Sequence, residues 1–370
     1  MLQRVERPDG DTLMRAVTAR ALAIGALALA ALSPCRADDT KLAPLPQLAA
    51  DLSQTSVSGI SSGAYMAGQF QIAHSKIVVG AAIIAGGPYG CAESAFADLM
   101  PGPGAAILNL SKAVNGCMLN ALALWGVPDV DQLVRKTEKL ADAGRIDPIA
   151  DLKNDRIYLF SGTNDRTVVP AIVAAAFEYY KRIGVPEANM TYVSDLPAGH
   201  AFVTEADGLA CENTGNPYVV DCDYDQAGVV LKQIYGDLAP RSPTPAGTFT
   251  EFDQRPFLEG ENNDGMEQSG VVYVPPACLK DETCRVHIAY HGCGQNRSAT
   301  GEAFIKESGY ANWADTNRLI VLFPQASVSA VNPQGCWDWW GYTGANYLTR
   351  DAVQIRIVYK MLETLAKPRS

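Results

Sequence analysis

Two patterns alternate along this chain. Short apolar runs of the kind that bury as strands are followed by longer stretches whose apolar residues recur at helical spacing. Thr55-Ser56-Val57-Ser58 runs into Gly59, and a helical stretch, AYMAGQFQIAHS, follows. VVGAAIIAGG (78–87) reads as a buried strand ending in glycines, RIYLFSG (156–162) as another and NMTYVSDL (189–196) as a third. TVVPAIVAAAFEYYKRIG is the helix between the last two, and residues 92–150 read as a long, mostly helical insertion with loops. A Pro-rich stretch, LAPRSPTPAG (238–247), reads as a linker. Beyond it GVVYVPPAC and CRVHIAYHGCG are strands, SATGEAFIKESGYANWADTNR one helix, LIVLFPQAS a strand and DAVQIRIVYKMLETLAK the last helix. This order predicts an α/β fold, a mostly parallel sheet flanked by helices.

The first apolar run belongs to neither pattern. Ala21 to Leu32, ALAIGALALAAL, is too short to span a bilayer but suits a signal-peptide core. Arg15 and Arg20 precede it, and Cys35-Arg36-Ala37 follows. Cleavage after Ala37 would start the mature chain at Asp38, and Met14 makes a better start than Met1, because residues 1–13 carry acids. A lipid anchor on Cys35 is the rival reading, and Pro34 opposes it. The expected organisation is a signal peptide (1–37) and one catalytic domain (38–370), made of a first half (50–235), a linker (236–247) and a second half (248–370).

Composition narrows the partners. The 370 residues are 48% hydrophobic, enough for one large core or two modest ones. Losing residues 1–37 removes five Arg and three acids and takes the net charge from −10 to −12. With no long run of Lys and Arg, nucleic acid is excluded as a partner. Anionic membranes would repel such a chain and no other segment would anchor it, so a neutral substrate fits and a monomer is expected. Eight cysteines remain after cleavage, an even count that reads as disulfides in an exported protein. They allow 105 pairings. Neighbour pairing gives Cys91–Cys117, Cys211–Cys222, Cys278–Cys284 and Cys293–Cys336. Zinc has no CxxC spacing to support it, so no metal is expected.

The chemistry starts at Gly59-Ile60-Ser61-Ser62-Gly63, a G-x-S-x-G between a strand and a helix. There Ser61 must sit on a sharp, strained turn that exposes its hydroxyl at a helix N-terminus, where free N–H groups favour an oxyanion. A serine nucleophile needs a base and a group to orient it. The chain has four histidines. His74 lies in the helix after the motif, His287 in mid-strand and His291 at the start of a glycine-rich loop. His200, in the loop PAGHAF, is the candidate base. Asp165, in SGTNDRTV just after a strand, is the first candidate for the acid, and Asp195 the second. Asp155 precedes its strand and would lie at the wrong edge of the sheet. Ser61, Asp165 and His200 then follow the chain order of α/β-hydrolases.

One element is out of order. His291-Gly292-Cys293-Gly294-Gln295 looks like the glycine-rich loop that supplies the second oxyanion N–H, yet that loop usually precedes the nucleophile. A circular permutation accounts for this: residues 248–370 would be the first half of the sheet and 50–235 the second. The plainer alternative is a turn in a separate C-terminal domain. The oxyanion donors would be the backbone N–H groups of Ser62 and Cys293. A Cys293 thiol nucleophile beside His291 is disfavoured by the oxidising setting. Cys336-Trp337-Asp338-Trp339-Trp340-Gly341 packs three tryptophans into four residues, and flat aromatic surfaces would suit a neutral, apolar polymer. At least one of Trp337, Trp339 and Trp340 should line the site, and alternation should bury another.

Together GISSGAYMA, GTNDRTV, PAGHAF, YHGCGQ and CWDWW resemble the poly(3-hydroxybutyrate) depolymerases, most closely the single-domain, circularly permuted kind. The resemblance covers nearly all of the mature chain. It implies a secreted, disulfide-stabilised α/β-hydrolase that cleaves short-chain poly(3-hydroxyalkanoate) esters through an acyl-enzyme, without a cofactor. It implies a triad of Ser61, Asp165 and His200 with oxyanion donors Ser62 and Cys293. Exported members often carry a separate polymer-binding domain, and after Ser370 there is no room for one. Two other readings stay open: a feruloyl or acetyl esterase of plant polysaccharide, and a binding protein on a decayed hydrolase scaffold. Whether the protein stays periplasmic is also open.

Overall fold

The computed structural model describes residues 42–94, 103–119, 126–258, 265–280 and 282–369. The signal-peptide reading of residues 1–37 lies outside them. The strands in chain order are β1 (Asp51–Ile60), β2 (Val78–Ile84), β3 (Arg156–Phe160), β4 (Met190–Val193), β5 (Phe202–Thr204), β6 (Leu209–Ala210), β7 (Val219–Asp221), β8 (Thr248–Asp253), β9 (Ser269–Val274), β10 (Arg285–Tyr290) and β11 (Leu319–Phe323). Eight of them form one sheet in the order β4-β3-β2-β1-β10-β11-β9-β8. It is parallel from β4 to β11, and β8 and β9 close one edge in antiparallel fashion. A small second sheet has the order β5-β7-β6.

The helices are α1 (Ser62–Ala73), α2 (Pro103–Gly116), α3 (Val130–Asp142), α4 (Pro170–Arg182), α5 (Gln226–Tyr235), α6 (Arg297–Thr300), α7 (Ala303–Glu307), α8 (Tyr310–Asn317) and α9 (Val353–Ala366). The two-residue period of the strands divides the core between two helical layers. Ile157 and Leu159 of β3 point into the cluster containing Phe70, Val173, Tyr179 and Met361, from α1, α4 and α9. Tyr158 and Phe160 point the other way, toward Leu231, Tyr310 and Trp313 of α5 and α8. Every residue of α1 is buried, as a helix with apolar residues all round requires.

Followed from β8, the chain lays down the antiparallel edge, crosses to β10, returns to place β11 between β10 and β9, and finishes in α9. At the end of α9, Leu48 N and Ala50 N each donate to Leu365 O at 3.0 Å, and Ala49 N donates to Lys367 O at 2.9 Å. β1 begins there, pairs with β10, and carries the sheet on through β2, β3 and β4. The sheet is that of an α/β-hydrolase whose chain has been opened between α9 and β1. The fold is a circularly permuted α/β-hydrolase.

The details depart from expectation in two places. The helix expected over 298–318 is three short ones, because Gly301 and Gly309 take left-handed φ values of 64° and 82°. The Pro-rich stretch runs along α8 and is bonded to it. Ala239 N donates to Asn317 Oδ1, Ser242 N to Asn312 O, and Gly247 N to Asp315 Oδ1. Proline sets its extended path, and α8 side chains and one α8 carbonyl satisfy the amides that no strand partner takes.

Candidate active site

The turn that carries Ser61, the candidate nucleophile, is built by close approach. Ser61 takes φ 57° and ψ −122° between β1 and α1, a conformation costly for any residue with a Cβ. Its main chain is held: Ser61 N donates to Ile84 O at 2.9 Å, and Ala64 N donates to Ser61 O at 2.9 Å. The flanking glycines are dictated by packing. A Cβ on Gly59 would lie 2.1 Å from Gly63 O, and one on Gly63 would lie 2.4 Å from both Tyr290 O and His291 O. The motif therefore makes room both for its own turn and for the backbone at the end of β10.

Because β1 to β4 are parallel, their carboxyl ends share one edge, where α/β sheets place their sites. The loops that carry Asp165 and His200 leave from that edge. Thr163 N donates to Leu196 O at 2.9 Å and Asn164 N to Ala198 O at 3.1 Å. This contact needs Gly162, whose Cβ would sit 2.0 Å from Ala198 O. Asp165 is fully buried; its Oδ1 accepts from Thr167 N and Val168 N at 2.8 and 2.9 Å, and its Oδ2 meets His200 Nδ1 at 2.7 Å. The ring nitrogen beside a carboxylate carries the proton, which leaves His200 Nε2 as the acceptor. His200 N donates to Thr214 Oγ1 at 2.8 Å, an anchor that sequence gave no sign of. Among the described residues no hydrogen bond joins the Ser61 hydroxyl to His200. Such contacts commonly tighten only around substrate.

The loop after β10 comes to Ser61 from the other side. A Cβ on Gly292 would lie 3.4 Å from Ser61 Cβ. Among the described residues no hydrogen bond occupies Ser62 N or Cys293 N. Cys293 is bonded to Cys336, so it offers no thiol, and Cys91–Cys117, Cys211–Cys222 and Cys278–Cys284 are also disulfides. Among the described residues no group of His, Cys, Asp or Glu could hold a metal ion.

This arrangement has close relatives. No family model matches the chain. The poly(3-hydroxybutyrate) depolymerase of Delftia acidovorans is 39% identical over 327 residues, covering 87% of this chain and 61% of that protein. The chain thus spans about three fifths of the length of that relative. The polyhydroxybutyrate depolymerase of Talaromyces funiculosus is 35% identical over 321 residues, covering 82% and 86%. The chain belongs to the poly(3-hydroxybutyrate) depolymerase family. Two solved structures agree, each with 32% identity and covering 87% of this chain and 98% of the other. One is the PHB depolymerase of Penicillium funiculosum, with a TM-score of 0.76, and the other a serine-to-alanine PHB depolymerase complexed with R3HB trimer, with a TM-score of 0.77.

Within this depolymerase fold the tryptophan run needs a correction. Trp337 has no exposed surface; it packs edge-on to Tyr290 at 5.0 Å and against His291 at 5.3 Å, so it is core and cannot contact substrate. The Cys293–Cys336 bond beside it ties this stretch to the loop after β10. Trp339 stacks on Tyr65 at 4.1 Å and meets Trp340 edge-on at 6.0 Å. Both are buried too, with only a few per cent of their surface open. Asn332, which sequence reading passed over, fixes the segment: its Oδ1 accepts from Cys336 N and its Nδ2 donates to Cys336 O.

The other histidines are buried. Burial pushes His74, His287 and His291 down to about 4, 3 and 4, so all are neutral near pH 7. His287 lies between the hydroxyls of Ser56 and Ser58, and His291 Nε2 accepts from Ala326 N. Asp155 sits just ahead of β3, away from the carboxyl edge, and accepts from Gln71 Nε2 at 2.7 Å. Burial pushes its carboxyl up to about 8, against an ordinary 3.8. Between those values the folded chain keeps a proton that the unfolded chain has released, so stability falls as pH rises through that window. Asp155→Asn keeps an acceptor for Gln71 and removes the proton. It should raise the melting temperature over wild type by an amount that grows from about pH 5 to pH 8, with activity unchanged. Thermal melts at several pH values check this, and a pH-independent difference would contradict it.

Proposed function

We propose that this chain is an exported serine esterase that hydrolyses poly(3-hydroxybutyrate), or related short-chain polyhydroxyalkanoates, to oligomers or monomer. The observation that carries the reading is the buried Asp165–His200 pair, joined at 2.7 Å, on loops that leave the same carboxyl edge of the sheet as the strained Ser61 turn and its two amides, Ser62 N and Cys293 N. His200 Nε2 takes the Ser61 proton as Oγ attacks the ester carbonyl, and Asp165 stabilises the imidazolium. The N–H groups of Ser62 and Cys293 receive the oxyanion. The proton passes to the leaving oxygen, and one hydroxyl-ended chain departs. Water, activated by His200, then releases the acyl group as a free acid. No cofactor takes part. Trp339 and Trp340 are the aromatic candidates for substrate contact.

Export is supported by the four disulfides and by the apolar run at Ala21 to Leu32. No helix among the described residues is long and apolar enough to cross a membrane. The test is product analysis on poly(3-hydroxybutyrate), 3-hydroxybutyrate oligomers, methyl ferulate and acetylated xylan. Release of 3-hydroxybutyrate units is expected. Release of ferulate or acetate with no 3-hydroxybutyrate would transfer the chain to the carbohydrate esterases.

A further inference from the structure

The oxyanion loop and the base loop come from opposite halves of the chain, and one buried side chain spans them. Gln295 is 2% exposed. Its Oε1 accepts from Gly292 N at 2.8 Å, and its Nε2 donates to Tyr218 O at 2.9 Å and to Pro217 O at 3.3 Å. Tyr218 O also accepts from Phe202 N at 2.9 Å, and Phe202 lies two residues beyond His200. One carbonyl is thus shared between the strand that follows the base and the side chain that grips the oxyanion loop. Tyr218 holds that carbonyl in place with a left-handed φ of 59°.

We infer that Gln295 is a positioning residue that sets the register of the oxyanion loop against the His200 loop. The inference rests on the esterase reading above. Two consequences follow from its amide having a donor end and an acceptor end. First, Gln295 occupies Gly292 N, so the amide the loop leaves free is that of Cys293. Without Gln295, Gly292 N is a buried donor with no partner, and the loop can relieve this only by turning. Second, the loop cannot move relative to Tyr218, and so relative to Phe202 and His200, without breaking a buried bond. The disulfide at Cys293 ties the loop to Cys336, but nothing in that bond fixes it to the base. An oxyanion donor acts only within a few tenths of an ångström of its place, so loss of this register should appear in turnover rather than in binding.

The test uses Gln295→Met, which keeps volume and loses both bonds, and Gln295→Glu. Gln295→Met should lower kcat on a soluble 3-hydroxybutyrate oligomer about 30- to 300-fold, with KM within about twofold. It should slow labelling of Ser61 by a serine-directed phosphonate by a similar factor. Gln295→Glu reproduces both bonds only when its carboxyl is protonated. Its kcat should therefore recover toward wild type as pH falls, moving the pH profile to the acid side, an effect that mere loss of packing would not give. Labelling of wild type that Gln295→Met leaves within twofold would overturn this inference alone, as would a Gln295→Glu profile parallel to wild type. If Gln295→Met does not fold, the Gln295→Glu profile decides. A wild type that takes no label at Ser61 would overturn the esterase reading and this inference with it.

Discussion

Ser61→Ala is expected to lower ester hydrolysis by about 10⁴- to 10⁶-fold, leaving only what an oxyanion hole can do for a bound ester and water. The melting temperature should stay within a few degrees of wild type. The Ser61 side chain caps nothing; its contacts to Ile84, Ala64 and Tyr65 run through the main chain. The strain at φ 57° comes from having a Cβ, which alanine keeps. Loss of activity with an unchanged melting curve therefore isolates the hydroxyl. Phosphonate labelling, mapped to peptides, should reach Ser61 in the wild type and no residue in the variant. Hydrolysis within about a hundredfold of wild type, or a label elsewhere, would remove Ser61 from the reaction.

How much of this was legible in the sequence depends on how local each cause is. Gly59 and Gly63 were legible because a tight turn between strand and helix needs small residues whatever surrounds it. The structure adds that Gly63 also clears the backbone at Tyr290 and His291, over two hundred residues away in sequence. The HGCG loop was legible because a glycine-rich turn after an apolar strand keeps its pattern when the chain is permuted. Its place in the sheet follows from the pairing of β1 with β10, which no spacing encodes. The fate of each tryptophan was not legible. Three tryptophans within four residues fix neither which face is inward nor how deep the segment lies, and the burial of Trp337 is set by Tyr290 and His291 at the end of β10. The bonds along 239–247 were hidden for the same reason, since a Pro-rich stretch looks alike whether it hangs free or lies on α8. Gln295 was in view, but its role depends on the carbonyl of Tyr218, brought to it by the small β5-β7-β6 sheet.

Asp165→Asn should cost about 10³- to 10⁴-fold in kcat, roughly 4–5 kcal/mol of barrier, with KM little changed. The size follows from the two ends of the Asp165 side chain. Oδ1 accepts from Thr167 N and Val168 N, and Oδ2 faces His200 Nδ1. An asparagine cannot serve both. With its carbonyl oxygen toward the two amides, its NH₂ faces His200 and can only donate, so Nδ1 becomes the acceptor and the ring proton moves to Nε2. An imidazole protonated at Nε2 cannot take the Ser61 proton. With the amide turned over, NH₂ meets two N–H donors in a site with no exposure to water, which is the costlier state. Asp195→Asn supplies the control. Asp195 is exposed, has no bond to His200, and should tolerate the change within about twofold. Steady-state kinetics on one soluble ester separate the two. If Asp195→Asn abolished turnover while Asp165→Asn retained it, the acid would belong to the end of β4 rather than to the loop after β3. The buried pair at 2.7 Å would then be a structural bond.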